Sequence, residues 1–191
     1  MRVLVTGASG TGTTTLGRAL ATQLGIAFFD TDDYFWFLTE PPYQEQRAPA
    51  ARLALMLADL AKVPAAVVAG SVMKWGAELE EGFSLVVFLT LATELRVARL
   101  REREIARFGR ADAQFLEWAA QYEEGRMAGR SRALHEKWLS ERSCCILRLD
   151  GDLSVAERVV RVTEALSNMN FQLTAARAAC GSLGPLAFGG S

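Results

Sequence analysis

Short apolar runs alternate along this chain with segments whose apolar residues recur every three or four positions. The runs fall near residues 2–6, 26–29, 65–69, 84–90 and 144–149 and read as strands. Between them, 13–24 carries Leu16, Leu20 and Leu24 on one helical face and stops at Gly25, a residue suited to a helix end. A second helix is predicted over 47–61, after Pro41-Pro42 breaks the chain. An arginine-rich helix spans 92–107 and stops before Gly109. Two more, 113–123 and 130–141, carry Phe115, Trp118 and Tyr122, then Leu134, Trp138 and Leu139. The last, 154–166, opens at Ser154 with Glu157 three residues on, the spacing of a capping box. Strand alternating with helix in this way predicts an α/β fold with a mainly parallel sheet.

Residues 168–191 break the pattern. They hold little charge, several small residues and four glycines without sustained periodicity. They predict a poorly ordered tail with no catalytic role, leaving 1–167 as one domain. No internal repeat or interdomain linker is evident.

Composition adds mostly exclusions. Half of the 191 residues are hydrophobic and 23% are charged, ordinary usage for a globular domain. A net charge of −1 gives no pull towards nucleic acid or acidic membranes. Cys144 and Cys145 are neighbours in a predicted strand and Cys180 lies in the tail, with no C-x-x-C or Cys/His ligand pattern. Three such cysteines, no signal peptide and no membrane-length apolar run place the expectation in the cytoplasm. Arginine outnumbers lysine eighteen to three, the lysines being Lys62, Lys74 and Lys137. That bias reflects either genomic base composition or arginines that work on phosphate.

The chemistry begins at residues 7–14, Gly-Ala-Ser-Gly-Thr-Gly-Thr-Thr, between the first strand and the first helix. The spacing is that of a phosphate-binding loop, G-x-x-x-x-G-K-[S/T], with Thr13 where the lysine belongs. The loop's backbone amides turn inward on a phosphate, and the helix N-terminus adds partial positive charge. Gly7, Ser9, Gly10, Thr11, Gly12, Thr13, Thr14 and Thr15 are the candidate nucleotide contacts. Thr14 holds the hydroxyl position that ligates Mg²⁺ in such loops. A dehydrogenase reading fails twice: glycines at 7, 10 and 12 miss the dinucleotide spacing, and no tyrosine is followed by lysine four residues later.

Three carboxylates follow at the end of the second strand, in Asp30-Thr31-Asp32-Asp33. Carboxylates at that edge hold Mg²⁺ through water, accept a proton from a hydroxyl, or bind substrate hydroxyls. Asp30 and Asp32 are the candidates, and the alternative is a polar turn that caps a helix. The third strand ends in Gly70-Ser71, with Lys74 and Trp75 beyond; Gly70 admits a ligand or merely turns the chain. Arg99, Arg103 and Arg107 line one helical face, and Arg126, Arg130 and Arg132 form a second group. Two such clusters suit a lid over about 99–132 that closes on a triphosphate, and salt-bridged surface helices are the alternative. His135 reads as a packing or surface residue.

With these features in hand the chain resembles the small P-loop kinases, the group of adenylate, shikimate and gluconate kinases, over about residues 1–167. It is similar in particular to adenylate kinase-like proteins whose loop reads G-A-S-G-x-G-T-T-T. The resemblance implies a three-layer α/β/α fold with a five-stranded parallel sheet of order 2-3-1-4-5. It implies ATP on the loop with Mg²⁺, and a small-molecule acceptor between the Asp30–Asp33 turn and the helix at 47–61, a nucleoside monophosphate by default. It also implies that Arg130 and Arg132 clasp phosphate and that Asp150 lies beside the adenine. A hydrogen bond to a charged group is worth roughly 1.5–3 kcal/mol, so the missing lysine is survivable for binding. An arginine on a transferring phosphoryl group is worth on the order of 10³–10⁵ in rate, so transfer needs a substitute cation. A nucleotide-binding regulatory module without transfer is the alternative expectation.

Overall fold

A computed structural model describes residues 1–126 and 129–181, with side chains as far as 169 in the last helix. The elements run β1 (Arg2–Gly7), α1 (Thr13–Leu24), β2 (Ala27–Asp30), α2 (Thr31–Phe35), α3 (Pro49–Ala61), β3 (Ala66–Ala69) and α4 (Ala77–Glu80). There follow β4 (Leu85–Thr90), α5 (Thr93–Phe108), α6 (Ala113–Ala120), α7 (Arg132–Ser140), β5 (Cys145–Asp150) and α8 (Val155–Gly181). The five strands form one parallel sheet of order β2-β3-β1-β4-β5, as the resemblance implies.

Residues of alternate parity face opposite sides of the sheet, and each side is covered by helices. Leu4, Val68, Val86 and Phe88 pack with Met56 and Leu60 of α3 and with Trp138 and Leu139 of α7. Val3, Val5, Val67 and Val87 pack with Leu16 and Leu20 of α1 and with Val162 and Leu166 of α8. Each fully buried large apolar side chain contributes about 1.5–3 kcal/mol, so both layers hold the strand ends in fixed register. A third, smaller cluster of Leu100, Leu116 and Ala119 joins α5 to α6 over the predicted lid.

Several expectations change. The short helices α2 and α4, of five and four residues, are absent from the sequence reading because so few residues cannot display a helical period. The expected helix over 130–141 starts at Arg132, where Ser131 caps it by accepting from the Leu134 amide at 3.2 Å. Gly70 turns the chain at φ 112°, and a Cβ there would collide with the Thr31 side chain, so the glycine also lets α2 close on β3. Cys144 precedes β5 and packs against the core, while Cys145 opens the strand and is exposed. Finally, α8 runs to Gly181, well past the expected end at 166. The glycines that suggest irregular chain all stand at or beyond that end, and the residues before it are mostly good helix formers. The expected tail over 182–191 lies outside the described residues.

Candidate active site

The loop from β1 to α1 opens at the carboxyl edge of the sheet, where open α/β sheets bind ligands. Gly12 is the N-cap of α1, with φ 92°, and supplies no side chain to cap the helix. The first-turn amides are therefore open to an anion. Gly10 has φ 87°, and a Cβ there would stand 2.6 Å from the Arg96 carbonyl, so the loop shape requires glycine. Thr11 is buried and its hydroxyl donates to the Ala8 carbonyl at 2.8 Å, which fixes the turn. Thr13 and Thr14 are half-buried in the first turn, and Thr15 is exposed.

Thr14 and Asp30 meet directly. The Thr14 hydroxyl donates to Asp30 Oδ2 at 2.9 Å, and Asp30 Oδ1 accepts from the Asp32 amide at 3.1 Å. Asp30 is thus a buried carboxylate that caps α2 and touches the first turn of α1. Asp32 is exposed, yet the surrounding protein crowds its carboxyl. Desolvation, followed by the charge of Asp30, raises its pKa above the usual carboxylate value, while Arg130 and Arg103 pull it down. Asp33 is exposed.

The arginines divide by what they touch. Arg130 is half-buried and lines, with Arg96, Trp118 and Tyr122, a small cleft beside Ala8 and Ser9. Burial lowers its pKa, and Asp32 opposes that shift. Arg132 instead pairs with Glu136 at 2.9 Å and lies over the Phe88 ring, sharing Glu136 with Arg148. The structure therefore brings Arg130, and not Arg132, against the loop. The face of Arg99, Arg103 and Arg107 reaches three places. Arg99 pairs with Asp152 in the turn after β5, Arg103 pairs with Glu104 at 3.4 Å and lies over the Phe115 ring, and Arg107 donates to the Tyr43 hydroxyl at 3.3 Å. Arg126 pairs with Glu124 on the surface. Lys74 is exposed in a turn with φ 64°.

At the end of β5, the Thr90 hydroxyl donates to Asp150, and the Gly151 amide donates to the Thr90 carbonyl at 3.1 Å. The turn carrying Asp150 is thereby anchored to β4. His135 is fully buried on α7, its Nδ1 2.8 Å from the Tyr122 hydroxyl, and burial lowers its pKa to about 4.

Three buried arginines escape the sequence reading. Arg52 of α3 is only 9% exposed, lies over the rings of Phe35 and Trp75, and has no ion-pair partner among the described residues. Its Nε has no hydrogen bond. Arg96 and Arg158 are 0% and 3% exposed, and both bond to loop carbonyls. The signal was available, because each arginine stands one turn before a buried apolar residue of its helix: Met56, Leu100 and Val162.

The residues suit a nucleotide and Mg²⁺. The open amides and glycine loop fit phosphate oxygens, and the Thr14 hydroxyl beside Asp30 offers hard oxygen ligands. Among the described residues no cluster of three or more His, Cys, Asp or Glu forms a metal cage.

No family model matches the chain. It is similar to the uncharacterized protein YqaC of Bacillus subtilis (strain 168), 40% identical over 174 residues that cover 86% of this chain and 96% of YqaC. Among solved structures it is similar to shikimate kinase from Acinetobacter baumannii in complex with shikimate (TM-score 0.57, 20% identity, covering 87% of this chain and 93% of that one). It is also similar to deoxyadenosine kinase from M. mycoides with bound dATP (TM-score 0.58, 12% identity, 87% and 100%). A gluconokinase from Sinorhizobium meliloti 1021 gives a TM-score of 0.52 at 22% identity, covering 90% of this chain and 96% of that one. The fold is that of the P-loop small-molecule kinases.

Proposed function

The chain belongs to the family of YqaC, and we propose that it is a phosphotransferase that moves the γ-phosphoryl group of ATP to a small acceptor. The observation that carries this reading is the Thr14–Asp30 hydrogen bond between an open phosphate loop and the Asp32 carboxylate's turn. Loop amides bind the polyphosphate, with Asp150 beside the base. Thr14 and Asp30 would hold Mg²⁺, which would supply positive charge to the polyphosphate. Where the acceptor is an alcohol, Asp32 takes the proton from its hydroxyl, and its raised pKa brings it closer to the working pH of a general base; the ionised phosphate oxygen of a nucleoside monophosphate needs no such step. Arg130, at the loop and facing Asp32, neutralises the transferring group.

Arg52 supports an acceptor with an anionic group. A buried guanidinium without an acid carries an uncompensated charge, and a phosphate or carboxylate from solution satisfies it. A nucleoside monophosphate is the acceptor proposed, and a small hydroxy acid is the competing class. The adenylate kinase-like likeness of the loop belongs to this proposal. A cytoplasmic site of action also belongs to it, supported by the free Cys144 and Cys145. Among the described residues no helix is long and apolar enough to cross a membrane.

A coupled assay of ADP release tests the reading, with MgATP and a panel of nucleoside monophosphates, small hydroxy acids and uncharged polyols. Acceptor-dependent release with an anionic member is expected. Release with uncharged polyols alone would remove the role given to Arg52. No release with any member, from folded protein that binds ATP, would favour the regulatory-module alternative.

A further inference from the structure

Behind the phosphate loop lie two guanidinium groups whose work on the loop is done through neutral oxygens. Arg96 donates from Nη1 to the Ser9 carbonyl at 3.2 Å and to the Ala119 carbonyl at 3.2 Å. Its Nε donates to the Leu91 carbonyl at 3.3 Å and its Nη2 to the Thr93 hydroxyl at 3.1 Å. Arg158 donates from Nη1 to the Thr11 carbonyl at 2.7 Å and from Nη2 to the Gly151 carbonyl at 3.0 Å, and its Nε has no partner. Neither arginine has an ion-pair partner among the described residues.

Burying an arginine among neutral acceptors is costly, because hydration lost by a full charge amounts to several kcal/mol. An apolar side chain would suit either position better, since Leu100 follows Arg96 and Val162 follows Arg158 by one helical turn. Arginine does not escape by losing its proton. Two such charges against one loop make sense where an anion lies on the loop's other face.

The peptide plane supplies the link. In a trans peptide the carbonyl and the next residue's N–H point in opposite directions. The Ser9 carbonyl turned to Arg96 therefore aims the Gly10 N–H away from it, and the Thr11 carbonyl turned to Arg158 does the same for the Gly12 N–H. A cation on the carbonyl side polarises each peptide and strengthens its N–H as a donor, and the low dielectric of the interior preserves that effect.

We propose that Arg96 and Arg158 are positioning residues that supply, from behind the loop, the positive charge that Thr13 does not. The inference rests on the loop binding a polyphosphate and not on transfer of the phosphoryl group. Arg158 also bonds to the turn beside Asp150, so it ties the base side of the site to the phosphate side.

Binding of adenosine, ADP and ATP by calorimetry tests this, with wild type, Arg158→Met, Arg158→Lys, Thr13→Lys and the Thr13→Lys/Arg158→Met pair. Arg158→Met is expected to weaken ATP about tenfold or more, ADP less, and adenosine less than about twofold, as loss of a charge acting on phosphates requires. Arg158→Lys retains most of the affinity. Thr13→Lys recovers ATP binding in the Arg158→Met background and adds less to wild type. Should Arg158→Met not fold, Arg158→Gln, which also removes the charge, serves as the background for the same comparison. Equal losses for adenosine and ATP, or an equal gain from Thr13→Lys in both backgrounds, would overturn the proposal. Wild type that binds ATP but transfers nothing would sink the kinase reading and leave this inference standing. Wild type that binds no ATP would sink both.

Discussion

The Thr14 hydroxyl donates to the Asp30 carboxylate at 2.9 Å, so the first turn of α1 and the end of β2 meet through one hydrogen bond. That contact sets the phosphate loop beside the turn that carries Asp32, and it predicts how the site responds to losing a proposed metal ligand. Thr14→Val removes the hydroxyl at nearly constant volume. The Mg²⁺ concentration needed for half-maximal ADP release is expected to rise roughly ten- to a hundredfold. A Mg²⁺ titration of the variant checks this, and an unchanged midpoint would exclude Thr14 as a ligand.

Arg130 and Arg132 part company in the structure and should part in kinetics. Arg130→Ala is expected to lower kcat on the order of 10³ or more, the scale of an arginine on a transferring phosphoryl group. Arg132→Ala breaks a part-exposed ion pair with Glu136, which is worth about 1 kcal/mol of stability or less, and leaves kcat within about tenfold. Steady-state kinetics of the two variants side by side gives the comparison.

Under the proposed function, Arg52 is held at a cost in stability. Its guanidinium is buried over Phe35 and Trp75, and burial lowers its pKa. Replacing a buried charge by an apolar residue of similar size is often neutral or stabilising by about 1–4 kcal/mol. Arg52→Met is therefore expected to melt at or above the wild-type temperature while the acceptor KM rises roughly tenfold or more. A lower melting temperature with an unchanged KM would make Arg52 a structural residue.

His135 predicts a pH dependence of stability. In the folded protein its pKa falls from 6.5 to about 4 because burial, followed by the charge of Arg130, disfavours the imidazolium. The unfolded chain therefore binds the extra proton between these values, and stability rises with pH across that window. The contribution is complete above about pH 6.5, is lost as pH falls to about 4, and amounts to about 3 kcal/mol. Denaturant unfolding at pH 7, 5.5 and 4.5 measures it, and His135→Gln should flatten the slope.

Most of the scaffold was legible, because apolar runs and four-residue spacings report burial directly. The five strands and the bounds of α1 follow from Val3–Val5, Leu16, Leu20 and Gly25 with hardly a residue of difference. The loop and the aspartate turn were legible because their spacing is local. The pairing of Arg132 was not legible, because spacing along the chain says nothing of Glu136, which bonds to it after folding. Arg52, Arg96 and Arg158 were hidden for the opposite reason. Each stands on an apolar stripe, where a periodicity reading treats a charge as noise. Read as a signal, an arginine in line with buried leucine, valine or methionine marks a cation that the fold holds indoors. The length of α8 escaped because small, uncharged residues support a helix without displaying an amphipathic period.

The most direct test is a single-turnover experiment with γ-³²P-labelled ATP, Mg²⁺ and excess enzyme, in the presence of the acceptor that gives the fastest ADP release. The account predicts that label passes from ATP to the acceptor, and that Arg130→Ala retains ATP binding but transfers label on the order of 10³ more slowly. Label that stays in ATP, or leaves only as free phosphate whatever acceptor is present, would contradict it.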